Sequence, residues 1–184
     1  MNITEKAKVF ATEAHNGQKR KSGGDFIEHP ILVASLIKRM GGSDYEEAAG
    51  FLHDTVEDTK ITIDDIYEGF GHSVTMLVLS NTEDKTKSWI ERKVDTHKKI
   101  PFLNLEQRRL LLADKYANVL SIEKEIATQG NNTWGLFNAG YESQRWYYKT
   151  IAYALYVGLE DLTVNTEFMT VLNEYKKLVE KIFL

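Results

Sequence analysis

The stretch from Leu105 to Ala127 predicts a long helix that is apolar over most of its circumference. Leu110, Leu111, Leu112 and Ala113 are followed by Tyr116, Ala117, Val119, Leu120 and Ile122. A helix greasy nearly all round has to be buried, so the rest of the chain must wrap it. One polar line interrupts it: Asp114, Asn118, Ser121 and Glu125 recur at i, i+4, i+7 and i+11. A carboxylate carried into a core needs a partner. Asp114 therefore fits either a structural salt bridge or a metal ligand backed by the polar wall of a pocket.

The remaining pattern is helical too, and no strand alternation stands out. Prolines occur only at 30 and 101. The expected fold class is all-α, a helical bundle in one domain spanning residues 1–184. A first helix runs from about Thr4 to His15, with Asn2 and Glu5 as a capping box. His29-Pro30 begins a helix that Gly41-Gly42 stops. Ser43 and Glu46 form a second capping box, and Thr62 to Phe70 and Ser73 to Ser80 follow as helices. Residues 81 to 99 are polar and charged, a mobile loop with a short helix. Beyond Gln129-Gly130 the chain turns aromatic, with Trp134, Phe137, Tyr141, Trp146, Tyr147 and Tyr148. Most of these belong to a core, and one or two could form a stacking wall for a base. Trp134, Gln144, Arg145 and Trp146 are candidates for shaping a pocket. The last helix, about Thr166 to Ile182, reads as packing only.

Composition removes whole classes of function. There are no cysteines, hence neither a disulfide framework nor a thiolate metal site. No apolar run reaches the roughly 18 residues needed to cross a membrane. The N-terminus leads straight into an amphipathic helix rather than a signal peptide, so the expected compartment is the cytoplasm. A net charge of −4 argues against general nucleic-acid binding. An anionic ligand would need a local basic cluster. Oligomeric state stays open, a homo-oligomer included.

The chemistry concentrates in His53-Asp54-Thr55-Val56-Glu57-Asp58. The helix opened by Ser43 has its apolar residues at Tyr45, Ala48, Ala49, Leu52 and Val56. Continued at about 100° per residue, it places His53, Asp54, Glu57 and Asp58 on one arc roughly 140° wide. Gly50 lies in the same arc one turn earlier and leaves room there. Three carboxylates and an imidazole on one arc repel each other and ask for a cation, which a divalent metal supplies best.

Two further pieces gain meaning beside it. Gln18-Lys19-Arg20-Lys21-Ser22-Gly23-Gly24 is a basic loop, by itself a solvated surface loop. With a phosphate ligand it is an anion clamp, because arginine offers a planar fork and lysine a point charge. His29 is an ordinary helix-start residue unless partners make it a ligand. The lysines of residues 81 to 99 are candidate phosphate contacts, with a solvated face the simpler account.

Taken in order, Arg20-Lys21-Ser22-Gly23, His29-Pro30, Phe51 to Thr59 and Leu112-Ala113-Asp114-Lys115 with Asn118 resemble the hydrolase domain of the RelA/SpoT family. That family lies within the HD phosphohydrolase superfamily. The resemblance covers about residues 5 to 125 and is to the short, small-alarmone-hydrolase type represented by the metazoan SpoT homologue. It implies an all-α HD-domain phosphohydrolase bundle, with residues 130 to 184 as a helical extension of the same domain. It implies one manganese ion held by His29, His53, Asp54 and Asp114; ligand type alone would equally suit iron or zinc. It also implies Glu57 and Asp58 as the pair handling the attacking water. Arg20, Lys21 and Ser22 would contact the nucleotide, with Asn118 and Ser121 as pocket wall. The implied reaction cleaves (p)ppGpp to GDP or GTP plus pyrophosphate. Alternatives are another nucleotide, such as the 2′-phosphate of NADPH, or a nucleotide-binding regulator with little turnover. Asp25, Lys115 and Leu120 depart from the residues usual in the family.

Overall fold

A computed structural model describes residues 1–20 and 23–184, the side chain of residue 161 excepted. Among the described residues the chain forms nine α-helices joined by turns and short 3-10 stretches, and no sheet. Only an isolated bridge between Lys19 and Asp25 interrupts this all-helical picture. The helices are α1 (Ile3–Ala14), α2 (Glu28–Arg39), α3 (Asp44–Leu52), α4 (Thr55–Asp58), α5 (Ile63–Asn81), α6 (Trp89–Lys99), α7 (Leu105–Gln129), α8 (Tyr141–Ala154) and α9 (Thr166–Ile182).

Local sequence explains most of these boundaries. Five helices start at full capping boxes: Asn2 with Glu5, Ser43 with Glu46, Thr62 with Asp65, Ser88 with Glu91, and Asn104 with Gln107. Each satisfies two amides that a helix start otherwise leaves unpaired. Gly71, with φ 78° and ψ 177°, breaks the helical path within α5 where Phe70-Gly71 was expected to end a helix.

The greasy helix is central, as its sequence requires. α7 packs against α2, α3, α5 and α9. Its residues Leu110 to Ala113, with Ala117, Val119 and Ile122, are essentially removed from solvent. α3 lies against α1, α2 and α5, and α8 joins α9 to α6.

Two expectations are corrected here. His53 to Asp58 does not continue α3 as one helix. α3 ends at Leu52, residues 53 and 54 form a turn, and α4 follows. The reason is visible in the carbonyls. The Thr55 hydroxyl donates to the Leu52 carbonyl at 2.7 Å, and Nδ1 of His53 donates to the Gly50 carbonyl at 2.8 Å. Side chains thus take acceptors that the next helical amides would use. Gly50, moreover, leaves room for α2 rather than for a ligand. A Cβ there would meet Cδ1 of Ile37 at 2.7 Å and the Ala34 Cα at 3.0 Å. Because α2 and α3 approach this closely, the histidine at the start of one meets the histidine at the end of the other.

Candidate metal and nucleotide site

The rings of His29 and His53 are 5.1 Å apart, centroid to centroid, and both are buried. Asp114 joins them from the middle of α7. His29, His53 and Asp114 each present one ligand atom, and these atoms lie within 4.8 Å of one another. Nε2 of His29 is 3.4 Å from Oδ1 of Asp114 and 3.6 Å from Oδ2 of Asp54. Nε2 of His53 is 3.2 Å from Oδ1 of Asp54 and 3.8 Å from Oδ1 of Asp114. Asp54 therefore faces both imidazoles but stands outside the tightest group of three.

This donor set fits a divalent ion. Since Nδ1 of His53 donates to the Gly50 carbonyl, the neutral ring carries its lone pair on Nε2, which is buried without a hydrogen-bond partner. That tautomer is the one a metal requires, fixed by a neighbour on the far side of the ring. Electrostatics carry the same demand. Burial works against a charge on His53, yet Asp54 and Asp114 raise its pKa to about 9. Burial would raise Asp54, but His53 and His29 bring it down to about 2. A carboxylate pair, Asp114 buried and Asp54 partly so, that draws a proton onto an imidazole is a site seeking positive charge. His29 goes the other way, lowered chiefly by burial.

Asp114 is also braced from behind. Its Oδ2 accepts from the Lys115 ammonium at 2.6 Å and from Nδ2 of Asn81 at 3.2 Å. Its Oδ1 accepts from Nδ2 of Asn118 at 2.7 Å. Burial would raise its pKa, but Lys115 and the two histidines hold it well below the usual carboxylate range. Asp114 thus makes an ion pair through one oxygen and turns the other toward the two histidines.

A cavity of about 670 Å³ opens from this cluster, lined by Asp54, Glu57, Asp58 and Asp114 at its acidic end. The polar line of α7 forms one wall, with Asn118, Ser121 and Glu125 all on its lining. Arg20 is also on the lining. Its Nη2 reaches Oδ1 of Asn118 at 3.5 Å, and its guanidinium sits 5.9 Å from the Phe26 ring centre. Asn118 therefore bridges Asp114 and the basic loop. Lys21 and Ser22 lie outside the described residues.

Several lining residues differ from expectation. Lys85 and Lys93 both line the cavity; the Lys93 side chain is only 14% exposed, whereas that of Lys85 is half exposed. Glu83 pairs with Lys93 at 2.6 Å and with Nε of Arg92 at 3.0 Å. Of the aromatic residues past 130, Phe137 and Tyr148 line the cavity. Trp134, Gln144, Arg145 and Trp146 do not; Trp134 packs on Tyr141 and Phe183, and Trp146 stacks on His97. Asn81 was missed, although it extends the buried stripe of Val74, Leu77 and Val78 by one helical step.

The chain as a whole is similar to known proteins. The HD domain family model matches residues 7–120. A mouse guanosine-3′,5′-bis(diphosphate) 3′-pyrophosphohydrolase is 37% identical over 119 residues, covering 62% of this chain and 66% of that protein. A GTP pyrophosphokinase of Streptomyces coelicolor is 38% identical over 119 residues, 62% of this chain but only 14% of the relative. The chain thus spans under two thirds of the mouse relative's length and about a seventh of the bacterial one's. A crystal structure from Listeria monocytogenes superposes with a TM-score of 0.76 at 38% identity, over 84% of this chain and 98% of that one. The structure of a metazoan ortholog of SpoT that hydrolyzes ppGpp superposes with a TM-score of 0.80 over 100% of this chain and 98% of that one. At 22% identity the latter speaks for the fold alone. No helix among the described residues is long and apolar enough to cross a membrane.

Proposed function

The chain belongs to the HD domain family, and from that premise we propose that it is a metal-dependent phosphohydrolase removing pyrophosphate from the ribose 3′ position of (p)ppGpp to leave GDP or GTP. The observation that carries this reading is the convergence of His29, His53 and Asp114 beside a cavity whose lining also carries Arg20, joined to Asp114 through Asn118. Its relatives named as acting on guanosine 3′,5′-bis(diphosphate) supply the substrate class.

In this reading His29, His53, Asp54 and Asp114 hold one divalent ion, manganese first among the candidates. Such an ion neutralises charge growing on a phosphoryl group and acidifies a water. Glu57 and Asp58 orient the attacking water and accept its proton. Arg20, Lys21 and Ser22 bind the nucleotide away from the acids, and Asn118 and Ser121 form the wall beside it. Fixing the base there brings one phosphoryl group to the water in a single orientation. All 184 residues act as one domain, because Phe137 and Tyr148 complete the cavity from beyond the family match.

The test is a screen of manganese-loaded protein against ppGpp, pppGpp, NADPH and ordinary nucleotides. Pyrophosphate release from ppGpp is expected, and Arg20→Ala should raise KM strongly with metal content intact. Preference for NADPH would reassign the substrate within the same chemistry. Tight nucleotide binding without turnover would make the protein a regulator instead.

A further inference from the structure

Residues 82 to 88 carry the chain from α5 to α6 across the rim of the cavity. The main-chain amide of Glu83 donates to Oε1 of Glu57 at 2.8 Å. Two residues on, the Lys85 ammonium lies 2.9 Å from Oε2 of Glu57 and 3.3 Å from Oδ1 of Asp58. Both oxygens of Glu57 are therefore gripped, each by a different residue of one short segment.

That segment is itself anchored to α6. The Glu83 carboxylate accepts from Nε of Arg92 at 3.0 Å and from the Lys93 ammonium at 2.6 Å. Asp84 accepts from the Thr86 amide at 3.0 Å, and Lys87 reaches Asp95 at 2.8 Å. The grip on Glu57 is thus relayed to a capped helix rather than left to a loose side chain.

A carboxylate has about four acceptor positions on its two oxygens. The segment uses one on each oxygen of Glu57 and leaves the others for water. Pinned at both ends, the group loses its rotational freedom, and a reacting group held in one orientation is worth far more than a free one. Charge separates this role from phosphate binding. Glu57, Asp58 and Lys85 together are two carboxylates and one ammonium, a net negative trio that repels a polyphosphate. Burial works against the charge of Lys85, but its bonds to Glu57 and Asp58 raise its pKa.

We propose that Lys85, together with the Glu83 amide, is a positioning clamp that aims the Glu57 and Asp58 carboxylates and acts on the reaction only through them. The proposal rests on the role assigned above to Glu57. A double-mutant cycle on the full chain tests it, with ppGpp as substrate and folding checked by circular dichroism. Lys85→Met should lower kcat about tenfold with KM changed less than about twofold, and Lys85→Arg should recover most of the rate. In a Glu57→Gln background the same Lys85→Met change should lower kcat less than about twofold, because the group it positions is already gone. A rise in KM, or losses that multiply in the double variant, would place Lys85 on the substrate and overturn the clamp. Hydrogen exchange reads the clamp without any substrate: the Glu83 amide should exchange faster in both Lys85→Met and Glu57→Ala. Unchanged protection there overturns the proposal. Absence of ppGpp turnover in the parent protein would instead overturn the substrate assignment and leave exchange to decide the clamp.

Discussion

Gly50→Ala probes the joint on which the two histidines depend. The added methyl would sit 3.0 Å from the Ala34 Cα and 3.1 Å from its amide nitrogen, both main-chain atoms of α2. Ordinary contact begins near 3.4 Å, so α2 has to retreat by about 0.4 Å. Overpacking of this kind costs about 1–3 kcal/mol. Replacing a helical glycine by alanine returns about 1 kcal/mol. The net loss is about 1 kcal/mol, which for a chain this size lowers Tm by about 2–4 °C. The larger effect falls on metal. Moving His29 by several tenths of an ångström relative to His53 exceeds the ~0.2 Å tolerance of a coordination bond. Affinity should fall about tenfold or more, the scale on which disturbed ligand orientation is felt. Thermal unfolding in chelator and metal titration against a competing chelator measure the two effects. Gly69→Ala is the control: it has the same helical gain and nothing within 4 Å of its Cβ, so it should be neutral or stabilising. A Gly50→Ala protein with unchanged Tm and unchanged metal affinity would refute the close-approach argument.

Three further outcomes are expected. Asp54→Ala should remove both bound metal and turnover, and elemental analysis finding full occupancy in that variant would take Asp54 out of the ligand set. Glu57→Gln should retain metal and substrate binding while turnover drops about 10²-fold or more; an unchanged kcat would remove Glu57 from the chemistry. In metal-free protein the raised pKa of His53 contributes stability that is complete below pH ~6.5 and lost as pH rises through about 9. Denaturant unfolding across that window should show the decline, and saturating divalent metal should flatten it; a flat profile without metal would contradict the cation demand read from the two carboxylates.

The parts of the site that local sequence can encode were legible, and the parts made by long-range pairing were not. Asp114, Asn118, Ser121 and Glu125 share a face of α7 because helical spacing puts them there, and the cavity lies along that face. His29 was readable as a helix start, and its meeting with His53 follows from Gly50, whose effect on α2 no local pattern reveals. The turn at residues 53 and 54 carries neither glycine nor proline; it arises where Thr55 and His53 side chains take backbone acceptors, a competition that periodicity ignores. Lys85 meets Glu57 across 28 positions of chain, and Lys93 meets a glutamate ten residues away, so a charged stretch that looks solvated becomes a wall. The distinction matters for the chemistry. The packing of α2, α3 and α7 brings the histidines and Asp114 together, whereas both oxygens of Glu57 are held by a connecting segment. Substitution of Lys85 should therefore change rate while sparing metal affinity, since its ion pairs are to Glu57 and Asp58.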